Sequence, residues 1–187
     1  DDILTLSSVF GGGLNSLCTF GFVVQDSRGL KGLSTAEHCG NSASWAGEAL
    51  IYKNKIESRD TQWFALPEDL QSRATGLIVS HTYNGNLSFT PIKGTTTLGI
   101  GNAVCKFGAE TDRTCGIVTA VNRLGSGKNP NTGVVKNYGN LTVVSSSGKA
   151  IGAGGDSGGP FYSGNNAVGQ LVGSSTTATY YTPVANI

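Results

Sequence analysis

No stretch of this chain sustains the apolar period of a helix. Its apolar residues fall instead into short β-type runs parted by Gly, Asn, Asp and Ser. Runs at 18–24 and 30–33 flank an Asp26-Ser27-Arg28-Gly29 turn, and further strands are predicted at 48–53 and 61–66. The second half repeats the style at 103–106, 116–121, 160–162, 168–172 and 179–182, with 133–138 and 141–145 predicted as another strand pair. Apolar density drops around Asn84-Gly85-Asn86 and Lys93-Gly94-Thr95-Thr96-Thr97. The join between halves is placed there, which predicts an all-β fold of two closed antiparallel barrels, 1–90 and 91–187, in one compact unit.

Only 13% of the 187 residues are charged, the net charge is +1 and there are 28 glycines, so Ser, Thr, Asn and Gly must cover the surface. No basic run suggests nucleic acid, and no apolar run approaches the ~20 residues of a membrane span. Four cysteines allow three pairings. A zinc site is the rival, but no Cys-x-x-Cys occurs, so disulfides between sequence neighbours, Cys18 with Cys39 and Cys105 with Cys115, are expected. They imply an oxidising, extracellular setting. The start at Asp1 lacks the basic-then-apolar pattern of a leader, so a secreted protein of this sequence would be the processed form.

The chemistry centres on Gly154-Gly155-Asp156-Ser157-Gly158-Gly159-Pro160. A serine hydroxyl needs a base to take its proton and donors for the oxyanion it creates on a carbonyl. Glycines around Ser157 leave the amides of Gly155 and Ser157 open to such a carbonyl. A plain tight turn is the alternative. The string also satisfies Gly-x-Ser-x-Gly, the nucleophile elbow, but that arrangement places its histidine last, and both histidines, His38 and His81, precede Ser157. His38 follows a strand and abuts Cys39, whereas nothing singles out His81. Among the acids between His38 and Ser157, Asp69 and Asp112 have ordinary turn explanations. Asp60 abuts the bulky Trp63-Phe64 strand, which could hold a carboxylate out of water against an imidazole.

Thr35-Ala36-Glu37-His38-Cys39 and Gly155-Asp156-Ser157-Gly158-Gly159-Pro160, in that order, resemble the two signature motifs of chymotrypsin-like serine proteases, and Arg59-Asp60-Thr61-Gln62-Trp63 falls where that family carries its aspartate. The Val104-Cys105 to Cys115-Gly116 hairpin and the ending Thr179-Tyr180-Tyr181-Thr182-Pro183-Val184 are similar to the bacterial α-lytic and streptogrisin-like branch. The resemblance implies two perpendicular six-stranded barrels with a cleft between them. It implies a triad of His38, Asp60 and Ser157, an oxyanion hole of Gly155 and Ser157, and a peptide or protein substrate. A removed pro-region, a monomer and the absence of any cofactor or metal are further expectations.

The chain also departs from the family. It begins Asp1-Asp2-Ile3-Leu4 and not Ile-Val-Gly-Gly, so the animal-type activation switch is expected to be missing. Asp156, if buried, then needs another cation, and the resemblance nominates Lys106. No cysteine follows Cys115, so the disulfide usual near the serine is absent. By resemblance, the pocket for the residue on the acyl side of the cut is walled by Ile151, Gly152, Ala153 and Gly154, by Val172, Gly173 and Ser174, and by Thr179. Ile151 stands where trypsin-like members carry an acid, and no carboxylate lies between Lys149 and Gly155, so an apolar side chain is expected there. Val172 to Ser174 should receive the substrate backbone as an added strand. The opposing hypothesis is a catalytically silent binding protein on the same fold.

Overall fold

A computed structural model describes residues 8–186. The Asp1-Asp2-Ile3-Leu4 start lies outside the described residues. In the first half the strands longer than two residues are β1 (Val9–Gly11), β2 (Val23–Gln25), β3 (Lys31–Thr35), β4 (Ile51–Ile56), β5 (Thr61–Ala65), β6 (Ala74–Tyr83) and β7 (Asn86–Pro91). The second half contributes β8 (Ala103–Gly108), β9 (Asp112–Lys128), β10 (Val135–Ser145), β11 (Pro160–Ser163), β12 (Asn166–Ser174) and β13 (Thr179–Pro183).

The second half closes on itself. Its ladder runs β12-β11-β8-β9-β10-β13 and returns to β12, a ring with no open edge between first and last strand. Val104, Val118, Val144, Ile151, Phe161, Val168, Leu171 and Tyr181 fill it, contributed in turn by these strands and the loop before Ser157. The first half is built of two sheets, β2-β3-β5-β4 and β1-β6-β7, around Val9, Phe20, Leu33, Leu50, Phe64, Leu66 and Leu70. The break falls in the predicted 18–24 strand. Cys18–Thr19 pairs with Leu14–Asn15, Val23–Gln25 pairs with β3, and between them the chain crosses from one sheet to the other. There Gly12 N–H donates to the Phe20 carbonyl and Gly21 N–H to the Ser34 carbonyl. Phe22 and Ile78 of the first half meet Tyr162 and Ala167 of the second in a shared core, so the halves are packed together.

One expectation is corrected. The 133–138 and 141–145 pair is a single strand, β10, because Asn140 takes a left-handed φ of 58° within the strand and does not reverse the chain. Asn84 and Gly85, with φ of 50° and 77°, form the tip of the β6–β7 hairpin, the geometry an Asn-Gly pair favours.

Candidate active site

The element that carries His38 is a single 3-10 turn, Glu37–Cys39, that leaves the end of β3. It is held from three sides. Cys39 is bonded to Cys18. Gln62, opposite Thr35 in the β3–β5 ladder, donates its side-chain amide to the carbonyls of Ala36 at 2.9 Å and Gly40 at 2.7 Å. Asp60 supplies the third contact. It ends the short turn Glu57–Arg59 in a left-handed conformation, φ 53° and ψ 45°, which aims its side chain at the histidine.

The Asp60 carboxylate receives two hydrogen bonds from this one residue, from the His38 backbone N–H at 2.9 Å and from Nδ1 at 2.7 Å. With the carboxylate ionised, Nδ1 holds the proton, and Nε2 is left as an acceptor able to take another. Asp60 is completely buried. Burial pushes its carboxyl above the usual range, and the hydrogen bonds and charge of His38 oppose that rise.

Ser157 sits in the loop between Ile151 and β11. Its carbonyl accepts from Thr19 N at 2.8 Å, and Thr19 Oγ1 donates to the Gly155 carbonyl at 2.9 Å. Thr19 adjoins Cys18, so one segment is joined to the histidine turn by a disulfide and to the serine loop by hydrogen bonds. Gly158, at φ 89°, passes so close to the Thr19 carbonyl and Thr35 Oγ1 that a Cβ would have no room. The amides of Ala153, Asp156, Gly158 and Gly159 all find acceptors within the protein. Those of Gly155 and Ser157 find none among the described residues, which leaves them free for an incoming oxygen. Ser157 Oγ itself donates to the Val172 carbonyl at 3.4 Å, not to His38.

Asp156 is fully buried and accepts from the backbone amides of Glu110, Thr111 and Ala153 at 2.9, 3.0 and 2.9 Å. Lys106, equally buried, places Nζ 3.8 Å from Asp156 Oδ2, with the Thr111 hydroxyl bonded to both and bridging them. Nζ also donates to the Asp112 carbonyl at 2.8 Å. Burial pushes the Lys106 ammonium below its usual range, opposed by the charges of Asp156 and Asp112. Beside Lys106, Cys105 is bonded to Cys115.

The predicted pocket residues divide. The side chains of Ile151 and Val172 are turned into the core, Val172 against Tyr138 and Leu141. Ala153, Gly154 and Ser174 are exposed. Thr179 is buried, and its Oγ1 accepts from the amides of Ile151 and Gly152, both at 3.0 Å, and lies 2.8 Å from Ser174 Oγ. Both lone pairs of the Thr179 hydroxyl are then in use, so its proton goes to Ser174, and Ser174 keeps one O–H to offer outward.

Two features were not anticipated. Glu37, next to His38, is buried and bonded to Lys136, Lys55 and Tyr138. His81 Nδ1 lies 2.8 Å from Asp112 Oδ1 on an exposed face joining β6 to β9, which accounts for that histidine and that rival aspartate away from Ser157. The other rival, Asp69, lies in the short helix Glu68–Gln71. Among the described residues no group of three or more His, Cys, Asp or Glu is arranged to hold a metal ion, and no helix is long and apolar enough to cross a membrane.

No protein-family model matches the chain. Glutamyl endopeptidase 2 of Streptomyces griseus is 33% identical over 177 residues, 92% of this chain and 86% of that protein. Among solved structures, the Nocardiopsis protease NAPase superposes with a TM-score of 0.77 at 26% identity, covering 96% of this chain and 94% of its own. A glutamic acid specific serine protease, described as using a histidine triad in substrate binding, gives a TM-score of 0.75 at 29% identity with 95% of each chain covered.

Proposed function

The chain belongs to the chymotrypsin-like bacterial serine endopeptidases, and from that premise we propose that Ser157 is its nucleophile, His38 the base and Asp60 the group that orients the base. The observation that carries the assignment is the doubly bonded His38–Asp60 pair, tied through Cys18–Cys39 and Thr19 to a serine beside the unused amides of Gly155 and Ser157. Ser157 Oγ leaves the Val172 carbonyl, gives its proton to His38 Nε2 and attacks the peptide carbonyl. The imidazolium then protonates the departing amine, and water repeats the sequence on the acyl-enzyme. The amides of Gly155 and Ser157 hold the oxyanion, each contributing about 10²–10³ in rate. The two disulfides support action outside the cell.

For the residue on the acyl side of the cut we infer an uncharged, apolar side chain. The glutamyl relative raises glutamate as the competing choice. A histidine triad cannot be assembled here, since the chain has two histidines, one bonded to Asp60 and the other to Asp112. The single outward hydroxyl of Ser174 is too little to replace the hydration of a buried carboxylate. A panel of chromogenic peptides differing only at that residue tests this. Leu or Phe should exceed Glu in kcat/KM by about tenfold or more, given what charge burial costs, and fastest cleavage after Glu or Arg would overturn it. The triad assignment is tested separately with a fluorophosphonate, which should modify Ser157 in the wild type and fail to do so in His38→Ala.

A further inference from the structure

Glu37 is a buried carboxylate that the acyl-transfer scheme does not use. Its side chain is 3% exposed, and it stands one residue before the base. Burial would push its carboxyl up, but hydrogen bonds from Lys136, Tyr138 and Lys55 outweigh that and hold it below the usual range. Two of these donors come from β10, in the other half of the molecule. Tyr138 OH donates to Oε2 at 2.9 Å, and Lys136 Nζ to Oε1 at 2.8 Å. Lys55 of β4 reaches Oε1 at 3.3 Å and also pairs with Glu57.

What these bonds fasten is the β9–β10 hairpin. Lys136 lies opposite Gly127 in its ladder, and Gly127 rests on the imidazole. A Cβ there would overlap Nδ1 and lie 2.7 Å from Cε1 and 2.8 Å from Cγ of His38. Gly127 has no left-handed φ, so the ring itself is what demands a glycine. Tyr138 adds its ring 6.3 Å from the imidazole, and the neighbouring Ser126 carbonyl lies against Gly173 of the strand expected to receive substrate. Glu37 is buried but Lys136 and Lys55 are 45% and 28% exposed, so these pairs add little net stability, and in some proteins such contacts serve to fix one register against others.

We propose that Glu37 is a positioning residue for the base: it latches the β9–β10 hairpin to the turn that carries His38, so that the Gly127 backbone holds the imidazole against Asp60. Glu37 touches no substrate and acts through the hairpin. The inference rests on the assignment of His38 as the base.

Steady-state kinetics of Glu37→Gln, Tyr138→Phe, their double variant and Gly127→Ala test it on a chromogenic peptide. Each single change at the latch should lower kcat about tenfold with KM within about twofold, as for a group whose effect is felt at the chemical step. The double variant should lose little more than the worse single one, since both break one link. Gly127→Ala should lose more, because its methyl group displaces the ring directly. The groups facing His38 are Asp60 ahead of β5, Glu37 on its own turn, Tyr138 and Lys136 from β10, and Lys55 and Glu57 behind Glu37. Removing one negative charge from this set disfavours the imidazolium, so the acid limb of kcat/KM in Glu37→Gln should move to lower pH. Tyr138→Phe loses only a hydroxyl and keeps the test valid should Glu37→Gln fold poorly. Folded variants with wild-type kcat, or a change in KM alone, would overturn the inference even though the wild type is labelled at Ser157. A wild type not labelled there would remove the base assignment, and this inference with it.

Discussion

Lys106→Met offers the sharpest test of what shapes the oxyanion loop. The change removes an ammonium with no solvent exposure that lies 3.8 Å from Asp156 Oδ2 and donates to the Asp112 carbonyl and the Thr111 hydroxyl. Breaking a buried ion pair from one side costs about 3–5 kcal/mol, since the remaining charge is stranded. Asp156 is not fully stranded, because three backbone amides still point at it. The lower figure therefore applies, and about 3 kcal/mol in a domain of this size lowers Tm by about 6–12 °C. Activity should fall as well. Asp156 closes the loop on itself through Ala153 N, and a shift there should move the amides of Gly155 and Ser157 off the proposed oxyanion position, with kcat/KM reduced about tenfold or more. Calorimetric melts read the first effect and a chromogenic peptide the second. Lys106→Met with an unchanged Tm and unchanged kcat/KM would refute the idea that this pair organises the loop.

Two further outcomes follow from the geometry. Hydrogen bonds from Thr82, Arg113 and His81 overcome desolvation and lower the Asp112 carboxyl from 3.8 to about 2. The stability it lends is complete above its unfolded pKa and is lost as pH falls through about 2, so Asp112→Asn should flatten that part of an acid-unfolding curve. A curve of unchanged slope would count against it. The Cys18–Cys39 bridge, spanning 21 residues, contributes about 3 kcal/mol in the chain-entropy account. Replacing both cysteines by alanine should lower Tm and also kcat, because Cys39 follows the proposed base and Thr19 holds the serine loop. A variant with lowered Tm and intact kcat would show that the bridge serves stability alone.

The triad candidates were legible because each stands in a local pattern: glycines around Ser157, a strand end and a cysteine beside His38, a bulky strand after Asp60. The cysteine pairing was legible from spacing. Where the sequence reading failed, the signal was local but its meaning was not. Asn140 has turn chemistry, yet the strand runs through it, because the partner strand β9 absorbs the irregularity with register shifts between Ala120 and Gly125. Asn84-Gly85 looked like a linker and is a hairpin tip, a difference fixed by pairing across the turn. Glu37 was in plain view inside a motif. Its role depends on Tyr138 and Lys136, about a hundred residues away, and no periodicity in the chain could connect them.

The imidazole and its carboxylate belong to one half of the chain, and the alcohol we propose they serve belongs to the other, with the β9–β10 hairpin reaching back across the boundary. A chain caught with only its leading half folded has a proton acceptor and nothing to activate. One with only its trailing half folded has an alcohol no more reactive than any surface serine. On the proposed assignment hydrolysis therefore needs both halves folded and packed together, and neither half alone could cleave a neighbour.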